Sequence, residues 1–111
     1  MAYDEDLAHR LRELLGADPE VTGRRMFGGL AFLVAGHMAV AASGQGGLMV
    51  RVAPAETDTL LAIPHVHSFQ MRGRTMRGWL RADARGVQTR RQLALWVRRG
   101  VAYARSLPSK G

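Results

Sequence analysis

The sequence predicts an α+β domain with a largely antiparallel sheet and flanking helices. Amphipathic segments with suitable capping residues stand near both ends of the chain, and short apolar runs separated by glycine-rich turns fill the middle. Taken in chain order, these segments give the arrangement α-ββββ-α-ββ-α. A length of 111 residues is enough for one core, so we expect a single domain over residues 1–111.

A first helix is predicted between Asp4, a suitable N-cap, and Gly16, a residue suited to end a helix. Leucines at helical spacing give this segment one apolar face, formed by Leu7, Leu11, Leu14 and Leu15. The stretch VTGRRMF that follows is predicted to be the first strand.

The stretch RRMFGGLAFLVAGHMAV, from Arg24 to Val40, has one polar side chain after its arginines, that of His37. It is shorter than the about 20 apolar residues that a membrane helix needs, and glycines interrupt it. It also lacks the Lys-Ser or Lys-Thr pair that follows the glycines of a Walker phosphate loop. LAFLVA, residues 30–35, is therefore predicted to be a strand buried on both faces. A tight turn should join it to a second strand in HMAVAAS.

Alternation predicts the next strand. After the turn SGQGG, the segment LMVRVA should point Leu48, Val50 and Val52 inward and Met49 and Arg51 outward. The three glycines of that turn could also cradle a phosphate, but a hairpin turn explains them more simply.

The second half of the chain is also predicted to contain both helices and strands. A second helix, AETDTLLAI, is predicted after Pro54 and before Pro64. VHSFQM and TMRGWLRA are predicted to form a second hairpin around residues 72–74. Thr89 and Gln92 have the spacing of a capping box for the last helix. The buried side of that helix is predicted to comprise Leu93, Trp96, Val97, Val101 and Ala104.

The composition excludes several classes of chemistry. The chain contains no cysteine, which excludes disulfides, zinc sites with thiolate ligands, iron–sulfur clusters and a cysteine nucleophile. The N-terminus, MAYDEDLAHR, is acidic and fits neither a secretory signal nor a transit peptide. We therefore expect a cytoplasmic protein without a membrane segment.

Charge is unevenly distributed along the chain. Up to Leu60 there are 5 Arg against 8 Asp and Glu, a balance of −3. From Leu61 onward, 10 Arg and Lys110 stand against Asp83 alone, a balance of +10, which gives the net charge of +7. This asymmetry favours an anionic partner, which could be nucleic acid, an acidic protein or the acidic first helix of a second copy. The alternative is that arginine serves only as the solvating residue, since the chain has a single lysine.

Two partner expectations follow from charge and topology. Duplex DNA should bind weakly and without sequence preference, on the order of 10⁻⁴–10⁻⁶ M, because the chain has no base-reading motif. A homodimer is expected because small antiparallel sheets leave edges that need cover.

The strand TMRGWLRA carries the most suggestive group of side chains. Alternation places Arg77, Trp79 and Arg81 on one face, and an indole flanked by guanidinium groups can stack on a base or anchor a protein interface. With two arginines of the preceding turn, these residues form the predicted contact surface for a protein or nucleic acid: Arg72, Arg74, Arg77, Trp79 and Arg81. The alternative is that Trp79 lies beneath the last helix, with the arginines extending over it to solvent.

Catalytic and metal-binding patterns are weak or missing. His65 and His67 share one face of a strand, but no carboxylate nearby in sequence would orient either imidazole, and His37 lies on another strand. No serine stands in a nucleophile elbow, and no carboxylates are paired for acid–base work. We therefore predict that the protein is not an enzyme and holds no metal or other cofactor.

Five segments together resemble the N-terminal domain of TfoX/Sxy proteins: MAYDEDLAHRLRELL, RRMFGGLAFLVAGHMAV, LMVRVAP, MRGRTMRGWL and WVRRGVAYARSLP. They occur in the family's order along nearly the whole chain. The resemblance implies an α+β fold similar to that of secretion chaperones. It also implies a role in regulating DNA uptake and natural competence, in which family members assist a cyclic-AMP-dependent activator at promoters. Full-length members carry a second, C-terminal helical domain that has no counterpart in this sequence, and the resemblance supplies no catalytic residue.

Two functions from different classes are consistent with these features. The first is a non-enzymatic regulatory module that works by protein contacts. The second is a small-ligand binder or small enzyme that uses a pocket beside the sheet. A pocket lined by His37, His65 or His67 together with an acid would favour the second function, whereas an exposed apolar patch rimmed by arginine would favour the first.

Overall fold

The computed structural model describes residues 3–26 and 28–108 and confirms the predicted α+β arrangement. Phe27, at the end of the predicted first strand, and Lys110 lie outside the described residues. The helices are α1 (Glu5–Leu15), α2 (Thr57–Leu61) and α3 (Arg90–Ser106). The strands are β1 (Val21–Met26), β2 (Gly29–Val34), β3 (His37–Ala42), β4 (Leu48–Arg51), β5 (Val66–Met71) and β6 (Arg74–Ala82). They form one antiparallel sheet in the order β1-β2-β3-β4-β6-β5.

Local sequence signals explain how the helices begin. The Asp4 carboxylate accepts hydrogen bonds from two backbone N–H groups in the first turn of α1. At the start of α3, the Gln92 N–H donates to the Thr89 hydroxyl, and the Thr89 N–H donates to the Gln92 side chain, so the predicted capping box is confirmed. Each cap contributes about 1 kcal/mol. The second helix is shorter than predicted, because residues Pro54–Glu56 form a 3₁₀ turn instead of its first turn.

α1 and α3 cover one face of the sheet, and the main core lies between that face and the helices. Inward-facing residues of the central strands, such as Val40, Val50 and Leu80, are completely buried there. α3 lies close to β3 because residue 100 is glycine: a Cβ on Gly100 would lie only 2.5 Å from the Ala39 carbonyl oxygen. In the part of the chain that the structure describes, no helix is long and apolar enough to cross a membrane.

The opposite face of the sheet is also buried, although none of the described helices packs on it. Its centre is a second apolar cluster of Ala31, Leu33, Met38, Ala41, Met49 and Phe69. β2 is buried at every position, as predicted for a strand covered on both faces. Met49 was expected to point to solvent but is only 6% exposed, so that expectation is wrong. This face is covered by the sheet itself.

The sheet covers its second face by curling. Phe69 is the only residue of β5 between two consecutive paired positions of the β5–β6 hairpin. The opposite stretch of β6 contains four residues, so the hairpin bends there. Met26 of β1 and Phe69 of β5 come from opposite edges of the sheet and line one small cavity of about 30 Å³. The Gln45 side-chain amide, in the β3–β4 turn, donates to the Gln70 carbonyl of β5 at 3.3 Å. Strands from both edges therefore meet over the second apolar cluster.

The bend in β6 contains Gly78, whose φ is +87°. A side chain here would be strained, and its Cβ would lie 3.2 Å from the Val52 carbonyl oxygen. The buried Thr57 hydroxyl accepts the Gly78 N–H at 2.9 Å and donates to the Pro54 carbonyl at 2.8 Å. The Val52 N–H donates to the Gly78 carbonyl at 2.8 Å. Both polar groups of the Gly78 backbone are thus satisfied at the bend.

Replacing Thr57 with valine should destabilise the fold, because the buried Gly78 N–H would lose its acceptor. The expected loss is about 1–3 kcal/mol in the free energy of unfolding, measured by urea denaturation. Thr57→Ser is the matched control, since it keeps the hydroxyl, and it should lose clearly less. Equal losses in the two variants would show that the hydroxyl is not the stabilising group.

Candidate interaction surfaces

The five residues predicted to contact a partner lie on the β5–β6 hairpin and are called the hairpin surface: Arg72, Arg74, Arg77, Trp79 and Arg81. Arg72 lies in the tight turn of the hairpin, with a φ of +55°, and Arg72, Arg74 and Arg77 are exposed. Trp79 and Arg81 are half-buried. The register places them beside Arg51 and Met49 of β4, on the curled face. The structure therefore brings Trp79 and Arg81 together and leaves the other three arginines nearer the hairpin tip.

Trp79 packs at the border of the second apolar cluster rather than in the main core. The Arg51 guanidinium lies 5.1 Å from the centre of the Trp79 ring and 5.6 Å from that of Tyr103 in α3. Both are distances at which cation–π attraction acts. The alternative that Trp79 lies beneath the last helix is wrong, because α3 packs on the other face of the sheet. Trp96 of α3, only 3% exposed, is the tryptophan of the main core.

Most of the positive charge on the hairpin surface is not neutralised locally. Arg77 lies 3.6 Å from Asp58, and both side chains are largely exposed. An exposed pair of this kind contributes about 0–1 kcal/mol. Within residues 3–26 and 28–108, the other three arginines of the hairpin surface form no ion pair. Their guanidinium groups are available to an anionic partner.

A second basic surface, which sequence reasoning missed, lies on the solvent side of α3. This α3 surface consists of Arg90, Arg91, Ala94, Leu95 and Arg98, which line a shallow depression of about 560 Å³. Leu95 is 42% exposed, and it is the only exposed large apolar residue among those whose burial the structure describes. The sequence did contain a signal for it. The helical spacing that buries Leu93 and Val97 turns Leu95 to the opposite side of the helix.

The arginines of the α3 surface differ from the other arginines of the helix. Arg99 lies 4.5 Å above the Trp96 ring, and Arg105 pairs with the carboxylates of Asp18 and Glu20. The three arginines of the α3 surface have no ionic partner in the part of the chain that the structure describes, and α3 itself contains no acidic residue. The α3 surface therefore combines uncompensated positive charge with an exposed apolar side chain.

The histidine pair has a carboxylate partner that the sequence did not reveal. Oδ2 of Asp83 lies 2.8 Å from Nε2 of His67, and its Oδ1 lies 3.7 Å from Nδ1 of His65. No carboxylate lies near these histidines in sequence, but the fold brings one from 16 residues further along the chain. Pairing of β5 with β6 places the end of β6 beside the start of β5 and so brings Asp83 to the histidines. The His67 hydrogen bond, aided by two backbone N–H groups, holds the pKa of Asp83 below its ordinary value.

The grooves along α3 that are lined by described residues contain none of the three candidate histidines. His37 contacts the Pro108 carbonyl oxygen through Nε2. A groove of about 450 Å³ lies beside α3 and is lined in part by Glu56, Arg99 and Tyr103, but by no histidine. Across residues 3–26 and 28–108, no three His, Asp or Glu side chains form a group that could hold a metal ion.

A family model described as the TfoX N-terminal domain matches residues 13–104, most of the chain. The chain belongs to the TfoX N-terminal domain family. The resemblance seen in the sequence is thereby confirmed. No curated protein and no solved structure gives a significant match.

The range that matches the TfoX N-terminal domain contains all six strands, α2 and most of α3. The hairpin surface and the α3 surface both fall inside it. The two basic surfaces are thus parts of the TfoX N-terminal domain itself.

Trp79→Ala should lower the free energy of unfolding by about 2 kcal/mol, because only part of the indole is packed. Trp96→Ala is the matched control and should lose roughly 3–5 kcal/mol, since that indole fills the main core. Urea unfolding of both variants provides the comparison. If Trp79→Ala were as damaging as Trp96→Ala, Trp79 would be a core residue and not part of a contact surface.

Proposed function

We propose that this chain is a non-enzymatic interaction module of a regulatory system in the cytoplasm. The observation that carries the proposal is Leu95, an exposed apolar residue rimmed by arginines. Exposed leucines are common on protein surfaces, so the weight rests on the combination of Leu95 with three arginines that have no ionic partner among the described residues. This combination supports a protein-binding module over a ligand binder. The resemblance to TfoX/Sxy proteins links the module to transcriptional regulation of DNA competence, with a transcription activator as the candidate partner.

The composition of the α3 surface suits a protein contact. Covering Leu95 removes apolar area from water, which is favourable, and arginine is enriched at protein interfaces. The arginine stems can pack along an apolar partner while their guanidinium groups reach its acidic groups. The hairpin surface combines the same features, with Trp79 half-buried among arginines. Tryptophan and arginine are frequent hot-spot residues, so the domain offers two surfaces for partners.

The ligand-binding alternative has less support. The groove beside α3 contains Glu56 but none of the three candidate histidines. The cluster of His65, His67 and Asp83 lies at the surface, where the three side chains are 40%, 46% and 31% exposed. A site this open does not exclude water, as most catalytic sites do. Substrate turnover that disappears in His67→Ala would contradict the proposal that the chain is not an enzyme.

Duplex DNA is proposed as a weak, secondary partner of the module. The net charge of +7 supports binding to phosphates without sequence preference. The affinity should lie on the order of 10⁻⁴–10⁻⁶ M and fall steeply with salt. A footprint of the purified chain at one defined site would contradict this part of the proposal.

We also propose that the chain forms a homodimer. β1 and β5 are the edge strands of the sheet, and residues 22–25 of β1 are exposed. The acidic first turn of α1, with Glu5 and Asp6, can meet a basic surface of the second copy. Light scattering at low salt should therefore give twice the monomer mass, with dissociation as salt rises. A monomer at high protein concentration and low salt would refute the dimer.

Leu95→Asp should abolish the binding of partners that contact the α3 surface and leave the fold intact, because Leu95 is exposed in the free domain. The new carboxylate would also pair with Arg91 and Arg98 one helical turn away and so occupy them. Affinity capture from native lysate, followed by mass spectrometry, compares this variant with the wild type. Ala17→Asp is the matched control, since it adds the same charge at an exposed turn. Retention of every wild-type partner by Leu95→Asp would contradict the proposed function, since the α3 surface would then bind none of them.

A further inference from the structure

We infer that the α3 surface binds an acidic amphipathic helix of a partner protein. Carboxylates of that helix would contact Arg91 and Arg98, and an apolar side chain would cover Leu95. The inference rests on the proposed function, because it specifies the partner of the same surface.

The spacing of residues on α3 fits a helical partner. Arg91, Leu95 and Arg98 stand at positions i, i+4 and i+7 of the helix, so they form one stripe along its solvent side. From the rise of 1.5 Å per residue, the stripe is about 10 Å long. A partner helix lying along α3 would match this stripe if it carried two acidic residues with an apolar residue between them at the same spacing. Such residues lie on a single face of the partner helix.

The charge of the α3 surface favours an acidic partner. Arg90 and Arg91 lie in the first turn of α3, which has no acidic residue. The helix dipole makes a positive charge unfavourable at that end, by roughly 0.3–1 kcal/mol. None of the described residues offsets these charges with an ion pair. Carboxylates of a partner would supply the countercharge and interact favourably with the dipole as well.

The exposed leucine distinguishes this partner from two others that are also acidic. The exposed positions of α1, residues 5, 6, 9, 12 and 13, are all polar. A second copy that docked through α1 could therefore neutralise the arginines but would leave Leu95 uncovered. Duplex DNA would likewise satisfy the arginines while bringing Leu95 against a charged backbone. An acidic helix with an apolar stripe is the partner that satisfies both features.

The test measures binding of the purified full chain to a blocked synthetic peptide by fluorescence anisotropy at physiological salt. The peptide spans four to five helical turns and carries glutamates and leucines on one face. It should bind roughly tenfold or more tightly than an isomer of the same composition in which these residues are scrambled around the helix. The variant with Arg91→Glu and Arg98→Glu should lose roughly tenfold or more, and a peptide with lysines in place of glutamates should regain binding to that variant.

The variant with Arg72→Glu and Arg74→Glu is the matched control, because it reverses the same number of exposed arginines on the hairpin surface. It should change the affinity by less than about twofold, whereas charge reversal on α3 acts at the contact itself. Circular dichroism of all variants should match the wild type, since each replaced arginine is exposed.

Several outcomes would overturn the inference. Equal binding of the scrambled isomer, or an unchanged affinity in the doubly reversed variant, would show that the contact is not specific to the stripe. Displacement of the peptide by a short DNA duplex or by a peptide of residues 3–16 at lower concentration would assign the α3 surface to nucleic acid or to a second copy. The proposed function is refuted by a different outcome. Capture of all the same lysate proteins by Leu95→Asp would refute the proposed function. If Leu95→Asp lost those proteins but the wild type bound no peptide, only this inference would be refuted.

Discussion

The hydrogen bonds of the Thr57 hydroxyl hold the bend in β6 on which the rest of the sheet depends. Gly78 provides the left-handed backbone that the bend requires, and Thr57 satisfies its buried N–H. The bend lets Phe69 reach the second apolar cluster and close it against Met49. A straight hairpin would leave that face open to water, and no described helix packs there. The bend in β6 therefore explains how a sheet with helices on only one face buries apolar residues on both faces.

The sheet covers its own second face, and the outer side of α3, on the opposite side of the molecule, faces solvent. α3 is fixed from beneath by buried side chains such as Trp96, and Arg10 of α1 donates to the Val87 carbonyl at 2.8 Å, close to the start of the helix. Arginines such as Arg10 and Arg51 thus stabilise the fold through specific contacts. The arginines of the hairpin surface and the α3 surface mostly lack such contacts among the described residues. The excess positive charge lies where a partner can reach it, which is the physical basis of the proposed interaction module.

Local signals predicted most of the elements, whereas contacts between distant residues could not be predicted. Capping at Thr89 and the doubly buried strand β2 each depend on a few adjacent residues, so the pattern was sufficient. The burial of Met49 depends on a bend in a hairpin that comes much later in the chain. The contact of Asp83 with His67 likewise requires the pairing of β5 and β6. Helical spacing was enough to predict that Leu95 is exposed. Single exposed leucines are common on protein surfaces, however, so the structure was needed to show that arginines surround this one.

The central claim is that α3 presents Leu95 to a partner protein in the cell. A photoreactive amino acid at position 95 tests this most directly, with the same group at position 17 as the control for random encounters. We expect protein adducts from position 95 that disappear when Arg91 and Arg98 are replaced by glutamate, and only background from position 17. Equal adducts from both positions, or adducts to nucleic acid alone, would contradict the claim.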